Sequence, residues 1–224
     1  WRASTQVQHT FVDFEPDDYA NYEVDNGGGL SPYQPLEGVD DGFVVGGSVT
    51  TPTYRSINAN AEISRARGAI FAEGSRGYET RLSSSVALRP TASIRVTGSA
   101  TYSRITRDRD GSEFARTIIP RLKLELQPNR SLFFRVIGEY VSERQSALTD
   151  ARTGEPLVID GTLSTPQESN RLRLDWLASF EPSPGTVAFF GYGSSLDDTS
   201  AFGFRQMQRV SDGFFVKLAY QIRR

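Results

Sequence analysis

The chain has 224 residues, of which 38% are hydrophobic, 11% aromatic and 23% charged, a balance too apolar for a disordered polypeptide. Its formal net charge of -2 gives no support to nucleic-acid binding through a basic surface, and the absence of cysteine excludes disulfide frameworks, cysteine–zinc sites and thiol catalysis. No stretch reaches the roughly 18 apolar residues of a transmembrane helix, but a mean hydropathy of -0.41 is compatible with a membrane β-barrel, whose strands meet lipid only at alternate residues.

The first residues, from Trp1, already read as strand interior, so the chain is expected to be the C-terminal part of a longer protein. The dominant period along it is two, the signature of strands with one apolar and one polar face. Ten strands are expected, at 2–14, 42–51, 54–72, 77–89, 91–105, 113–127, 131–144, 171–181, 185–194 and 206–222. In the fifth, Ile94, Val96, Ala100 and Tyr102 alternate with Ser93, Arg95, Thr97, Ser99 and Thr101. In the sixth, Ile118, Leu122, Leu124 and Leu126 oppose Arg121, Lys123 and Glu125. Leu132, Phe134, Val136 and Tyr140 oppose Arg135, Glu139 and Glu143 in the seventh. Leu172, Leu174, Trp176, Ala178 and Phe180 oppose Arg171, Arg173 and Asp175 in the eighth. The last sets Phe214, Val216, Leu218, Tyr220 and Ile222 against Phe215, Lys217, Ala219 and Gln221. Glycine, serine, threonine and β-branched residues are spread through these segments, and they disfavour helix.

The connections alternate in length. Short ones carry proline, at Pro52, Pro90, Pro128 and Pro182–Pro184; longer ones fall at 15–41, 73–77, 106–112, 145–170 and 195–205. An up-and-down meander sorts its turns in this way, as outer-membrane barrels do, whereas Greek-key crossings mix the ends. The first long connection contains Gly27, Gly28 and Gly29 and is expected to be mobile. In the connection at 145–170, Leu157, Val158 and Ile159 are expected to pack over a mouth or to add a short hairpin, serving as a plug, lid or docking element.

Periodicity leaves open which face is outside. Three features favour lipid on the apolar side: strands of ten or more residues, against a soluble norm of about five or six; aromatics expected near strand ends as an interfacial girdle, namely Tyr78, Tyr102, Phe114, Tyr140, Phe180, Tyr192, Phe214 and Tyr220; and a C-terminal strand that alternates aromatic and aliphatic residues almost to its last position. The expected fold is therefore an all-β, antiparallel, up-and-down transmembrane β-barrel, complete or part of a larger one. Candidate lumen-lining and ligand residues are Arg81, Arg95, Arg121, Lys123, Glu125, Arg135, Glu139, Arg173, Asp175 and Lys217. They make a mixed-sign face, either an ion-paired lumen or a lining that selects charged or sugar solutes.

Signals for other chemistry are weak. His9 is the only histidine and has no nucleophile motif beside it, so a structural role is expected and no catalytic residue is assigned. Asp108, Asp110 and Glu113 resemble a calcium loop but lack its spacing, and Arg107 and Arg109 interrupt it. No metal or other cofactor is expected.

Four segments, VALRPTASIRVTGSATYSR, LQPNRSLFFRVIGEY, LDWLASFEPSPGTVAFFGYGSSL and DGFFVKLAYQIRR, occur in an order that resembles a bacterial outer-membrane family. Its members join a domain like carbohydrate-binding module family nine to a large C-terminal barrel domain of unknown function. The resemblance covers about 54–224 and implies an outer-membrane location, with lipid, saccharide or small polar solutes and other envelope proteins as partners. Solute transport or saccharide-related surface binding is the function it favours. A non-conducting barrel that anchors another domain, or a soluble β-sandwich binding module, are the alternatives.

Overall fold

The computed structural model describes residues 1–183 and 185–220. Alternation of side chains across each segment yields strands at the ten expected places. They are β1 (Arg2–Asp13), β4 (Gly38–Thr50), β5 (Ile57–Ile70), β6 (Ser75–Thr91), β7 (Ile94–Arg107), β8 (Glu113–Leu126), β9 (Leu132–Gln145), β12 (Gln167–Ser183), β13 (Thr186–Asp198) and β14 (Gln208–Tyr220). Gln221 and Ile222, expected in the last strand, and Pro184, expected in its turn, lie outside the described residues. Four short strands lie in the long connections: β2 (Tyr22–Asp25), β3 (Leu30–Pro32), β10 (Leu157–Ile159) and β11 (Thr162–Leu163).

The ten long strands form one sheet in the order β1-β4-β5-β6-β7-β8-β9-β12-β13-β14, every neighbouring pair antiparallel. Strand neighbours are sequence neighbours throughout, once the two small insertions are set aside, so all connections of one kind lie at one end. The turns at 51–56, 92–93 and 127–131 share the short-turn end; the connections at 14–37, 71–74, 108–112, 146–166 and 199–207 share the other. The sheet is open: among the described residues β1 and β14 are its edges and no pairing joins them. The all-β antiparallel meander is thus present, without a closed barrel.

Register interruptions have local causes. Pairing of β8 with β9 skips Ile119 and Pro120, as proline has no N–H to give a ladder. Near the top of β8 the register slips between Ile105 and Thr106, whose partners are Ala115 and Glu113. Phe114 is the extra residue of this bulge, which re-aims its side chain. It therefore joins the buried core at 7% exposure instead of the expected girdle. Tyr192 and Phe214 pair with each other midway along β13 and β14, not near strand ends.

The long connections are folded on one another. Strands β2 and β3 make a hairpin closed over 26–29, and β10 and β11 make a second, turning at Asp160 (φ 49°) and Gly161 (φ 73°). Two consecutive left-handed residues are what a two-residue hairpin turn needs. Pairing of β10 with β2 unites the hairpins in a four-stranded sheet, β11-β10-β2-β3. The connection at 15–41 is thus built structure rather than a mobile loop, because Tyr19, Val24 and Tyr33 have a core to enter. That core also takes Phe14, Val39, Ile70, Phe114, Leu148 and Leu157. Residues from the ends of β4, β5 and β8 meet in it.

Elsewhere, among the described residues, the sheet has no second layer. The apolar face shows Leu122 at 57% exposure, Val136 at 47% and Leu218 at 78%. Total accessible surface is 14571 Å², against roughly 10,200 Å² for a soluble monomer of this mass.

Leu157 is fully buried at the centre of the cap. Leu157→Ala is expected to cost about 2–5 kcal/mol of local stability. Hydrogen exchange should then quicken across 22–33 and 146–166 while the central strands β6 to β8 keep their protection.

Candidate functional site

Antiparallel register carries a side chain's face from strand to strand. Arg95 pairs with Glu125 and Glu125 with Arg135; Arg121 pairs with Glu139 and Glu139 with Arg173. Asp175 pairs with Gly193, and Lys217 with Phe189, two places along the same face. Arg81 reaches that face through Ser103 and Thr117. All ten residues singled out in the sequence therefore share one face, together with serines, threonines and glycines that leave it shallow.

Most of the charges on it are matched. Arg121 Nε lies 3.6 Å from Glu139 Oε2, Lys123 Nζ 3.1 Å from Glu125 Oε2, and Arg173 Nε 2.9 Å from Asp175 Oδ2; Arg95 Nε reaches Glu125 at 4.0 Å. These pairs are partly exposed, so each is worth about 0–1 kcal/mol. Carboxylates stand between cations on neighbouring strands, but the ten residues are seven cations and three carboxylates and together carry a formal +4.

Two clefts open along this face. One of about 680 Å³ is lined by Arg121, Arg135, Glu139, Arg173 and Asp175, with Phe215 at its side. Gly191 belongs there because a Cβ would overlap the Phe215 ring. The other, about 760 Å³, lies towards the short turns and includes Arg95, Glu125, Arg55, Arg89 and Gln127. Five of the ten residues line the first cleft and two line the second; Arg81, Lys123 and Lys217 line neither.

At the opposite end the same face becomes apolar beneath the cap, where Ile70 is buried and Ile105 and Ala115 are half-buried. Sequence reading missed the polar centre of this cap. Glu73, in the turn between β5 and β6, is fully buried, and Arg107, the last residue of β7, is 7% exposed. Arg107 Nη2 donates to Glu73 Oε1 at 2.5 Å and its Nε to Oε2 at 3.0 Å; Nη2 also donates to Ala147 O at 2.8 Å. The backbone N–H of Thr149 donates to Glu73 Oε1 at 2.9 Å and Ser75 Oγ to Oε2 at 3.2 Å. Tyr33 donates its hydroxyl proton to the Glu73 carbonyl. One glutamate thus joins the connections at 14–37, 71–74 and 146–166 to the end of β7. A small cavity of about 220 Å³ adjoins it, bordered by Arg76, Asp108, Arg109 and Asp150. No sequence spacing announces a pair 34 residues apart; the only clue was charge at the end of an otherwise regular strand.

Other candidates resolve locally. The Asp108 carboxylate accepts from Arg67 Nη2 at 2.8 Å, and Glu113 accepts from Arg104 and Arg116 at 2.8 and 2.5 Å. Hydrogen bonds from Ser112 and then Arg109 hold the Asp110 carboxyl well below the usual carboxylate range. These carboxylates are occupied by protein partners, and among the described residues no cluster of histidine and carboxylate groups is arranged to hold a metal. His9 sits exposed on edge strand β1 opposite Phe43. No protein-family model, no curated protein and no solved structure matches the chain.

Two predictions follow from the cap. Glu73→Gln leaves Arg107 buried without its counter-ion, which is expected to cost about 3–5 kcal/mol, whereas Glu73→Gln with Arg107→Met should recover part of it; hydrogen exchange at 146–166 measures both. Burial first, then the charges of Asp150 and Glu73, raise the Tyr33 hydroxyl above its ordinary 10.0. Its contribution is complete below pH 10.0 and declines as pH rises towards the folded-state value. Cap opening should therefore accelerate above pH 10.0, and Tyr33→Phe should weaken that alkaline dependence.

Proposed function

We propose that the chain forms a β-barrel of a bacterial outer membrane, closed through its edges β1 and β14 directly or with further strands, and that it passes or binds small polar solutes along its charged face. The observation that carries this reading is the exposed apolar face. On β8 the outward residues Leu126, Leu124, Leu122, Pro120 and Ile118 are followed by Arg116. The nine residues 118–126 carry an apolar band about 27 Å long at about 3.4 Å per step, and match the roughly 9–11 residues of a tilted transmembrane strand. Loss of that much surface to water would be costly, and a hydrocarbon surrounding removes the cost.

Aromatics support both boundaries of the band. Phe134, Phe180 and Phe190 lie on the apolar face towards the short turns, and Tyr78 and Tyr102 lie on it towards the cap. The short turns then belong at the periplasmic side and the cap outside. With donors from seven cations and acceptors from three carboxylates, the charged face suits polar solutes rich in hydroxyl groups, such as saccharides. The resemblance of 54–224 to a barrel joined to a carbohydrate-binding-like domain points the same way. The chemistry needs no catalytic group, and none is assigned.

A specific observation favours a second reading, that of a non-conducting anchor or envelope subunit. The cap is fastened to the end of the sheet by a buried ion pair, which would hold a mouth at that end shut.

The two readings separate in a planar bilayer. Protein extracted by detergent should migrate differently before and after boiling. Intact protein should conduct weakly, and Leu157→Ala, which loosens the cap, should conduct several-fold more. Silence from both favours the anchor. A water-soluble protein with no boiling-dependent shift would overturn the membrane reading and leave a soluble binding module.

A further inference from the structure

One row of residues across the sheet is basic. Successive register partners place Arg65 of β5, Thr80 of β6, Arg104 of β7, Arg116 of β8, Arg144 of β9 and Glu168 of β12 in one line on the apolar face. The line begins where the apolar band ends, since Arg116 follows Ile118 on the same side of β8. Neighbouring strands are about 4.8 Å apart, and like charges directly opposed weaken a strand pair. Counter-charge is incomplete. Glu113 sits between Arg104 and Arg116, and Glu168 lies 3.2 Å from Arg144, so four arginines face two carboxylates and the row keeps a formal +2. Arg104 engages Glu113 through Nε alone, and its side chain is 45% exposed; that of Arg144 is 52% exposed. Among the described residues their terminal nitrogens have no protein acceptor.

A second, independent feature lies beside this row. The connection from β13 to β14 folds down over the same face: the Phe202 N–H donates to Ser142 Oγ at 2.8 Å, and Asn170 Nδ2 donates to the Gly203 carbonyl. The Phe204 ring packs on Tyr140 at 4.5 Å, and the Arg116 guanidinium lies 5.4 Å above Phe202. Phe202 has φ 62°, an unfavourable region for a bulky residue, and these contacts hold it there. The result leaves Phe204 63% exposed over Tyr140, two same-face positions from Arg144 towards the apolar band. Guanidinium groups bordering an apolar band, with an exposed aromatic ring just inside it, are the chemistry of a membrane–water boundary. Arginine forks bind phosphate oxygens by paired, charge-assisted hydrogen bonds.

We propose that Arg65, Arg104, Arg116 and Arg144 bind the phosphate groups of anionic lipids in the leaflet at the cap end, with Phe204 seated among the upper acyl carbons. This rests on the membrane reading above.

The experiment uses the full chain in vesicles of phosphatidylcholine mixed with phosphatidylglycerol, with retained lipids counted by native mass spectrometry. Wild type should retain phosphatidylglycerol in preference on the order of tenfold. Arg104→Gln/Arg116→Gln/Arg144→Gln should bring the preference near unity, the corresponding lysine variant should keep much of it, and Arg95→Gln/Arg173→Gln on the other face should keep all of it. Equal preference in wild type and the glutamine variant would overturn the proposal, as would equal loss in the control on the other face. Displacement by inorganic phosphate beyond the effect of matched ionic strength would make this a free-anion site, which also overturns it. A protein with a boiling-dependent gel shift but no lipid preference refutes this inference alone. A protein that enters no vesicle and shows no shift refutes the membrane reading with it.

Discussion

The chain's apolar surface has too little protein to cover it, and the rest of the structure depends on that constraint. Nine buried residues make the main core, all of them at one end. Along the body of the sheet, leucines, valines and aromatics alternate into open space on one side while charges and small polar residues occupy the other. A soluble sandwich would reverse the exposure by burying the apolar face against a second sheet, and among the described residues no second sheet of comparable size exists. The exposed band far exceeds the few hundred Å² of contiguous apolar surface usual on a soluble monomer. Register enforces the division, because slipping any strand by one residue would carry its arginines or carboxylates to the apolar side.

The cap solves a different problem with different means. Its connections are too polar and too long to be organised by alternation, so they are organised by a small aromatic core and one buried carboxylate. A buried ion pair is weak evidence for stability on its own, since desolvation offsets much of the attraction. Glu73 is better understood as specifying arrangement: its oxygens are satisfied only when Arg107, Ser75 and the Thr149 backbone are all in place. Gly74, in the left-handed region at φ 52°, fits the same junction, since a Cβ there would overlap Pro35. Removing any one of the connections would leave polar groups without partners, which couples the cap into a unit.

How much of this was legible in the sequence follows from the range of the forces. The ten strands and their common polar face were readable because a period of two is a local property, repeated along each strand. Gln167–Ser183 and Thr186–Asp198 ran beyond the expected ends because Ser, Asn and Asp at a strand terminus carry no alternation. The β10–β11 hairpin was open to expectation from Leu157 to Ile159 and from the Asp160–Gly161 turn that follows. Pairing of β10 with β2 was not, since it joins segments more than 130 residues apart through three residue pairs. The glycines at 27–29 drew attention away from Tyr19, Tyr22 and Tyr33, whose rings pack at 5.3–6.1 Å. Phe114 went astray because a bulge changes face without any change in composition.

Charge pattern then separates the two faces in kind. On the polar face carboxylates stand between cations, as Glu139 does between Arg121 and Arg173 across β8, β9 and β12. Each of Glu125, Glu139 and Asp175 there has a cation within 4.0 Å. On the other face, at the edge of the apolar band, arginines stand opposite arginines. Two neighbouring guanidinium groups repel, and Glu113 and Glu168 offset that repulsion in part. The same ladder geometry therefore yields carboxylates flanked by cations on one face and a row of arginines on the other. The difference lies in which residues meet across the strands, not in how many charges the chain carries.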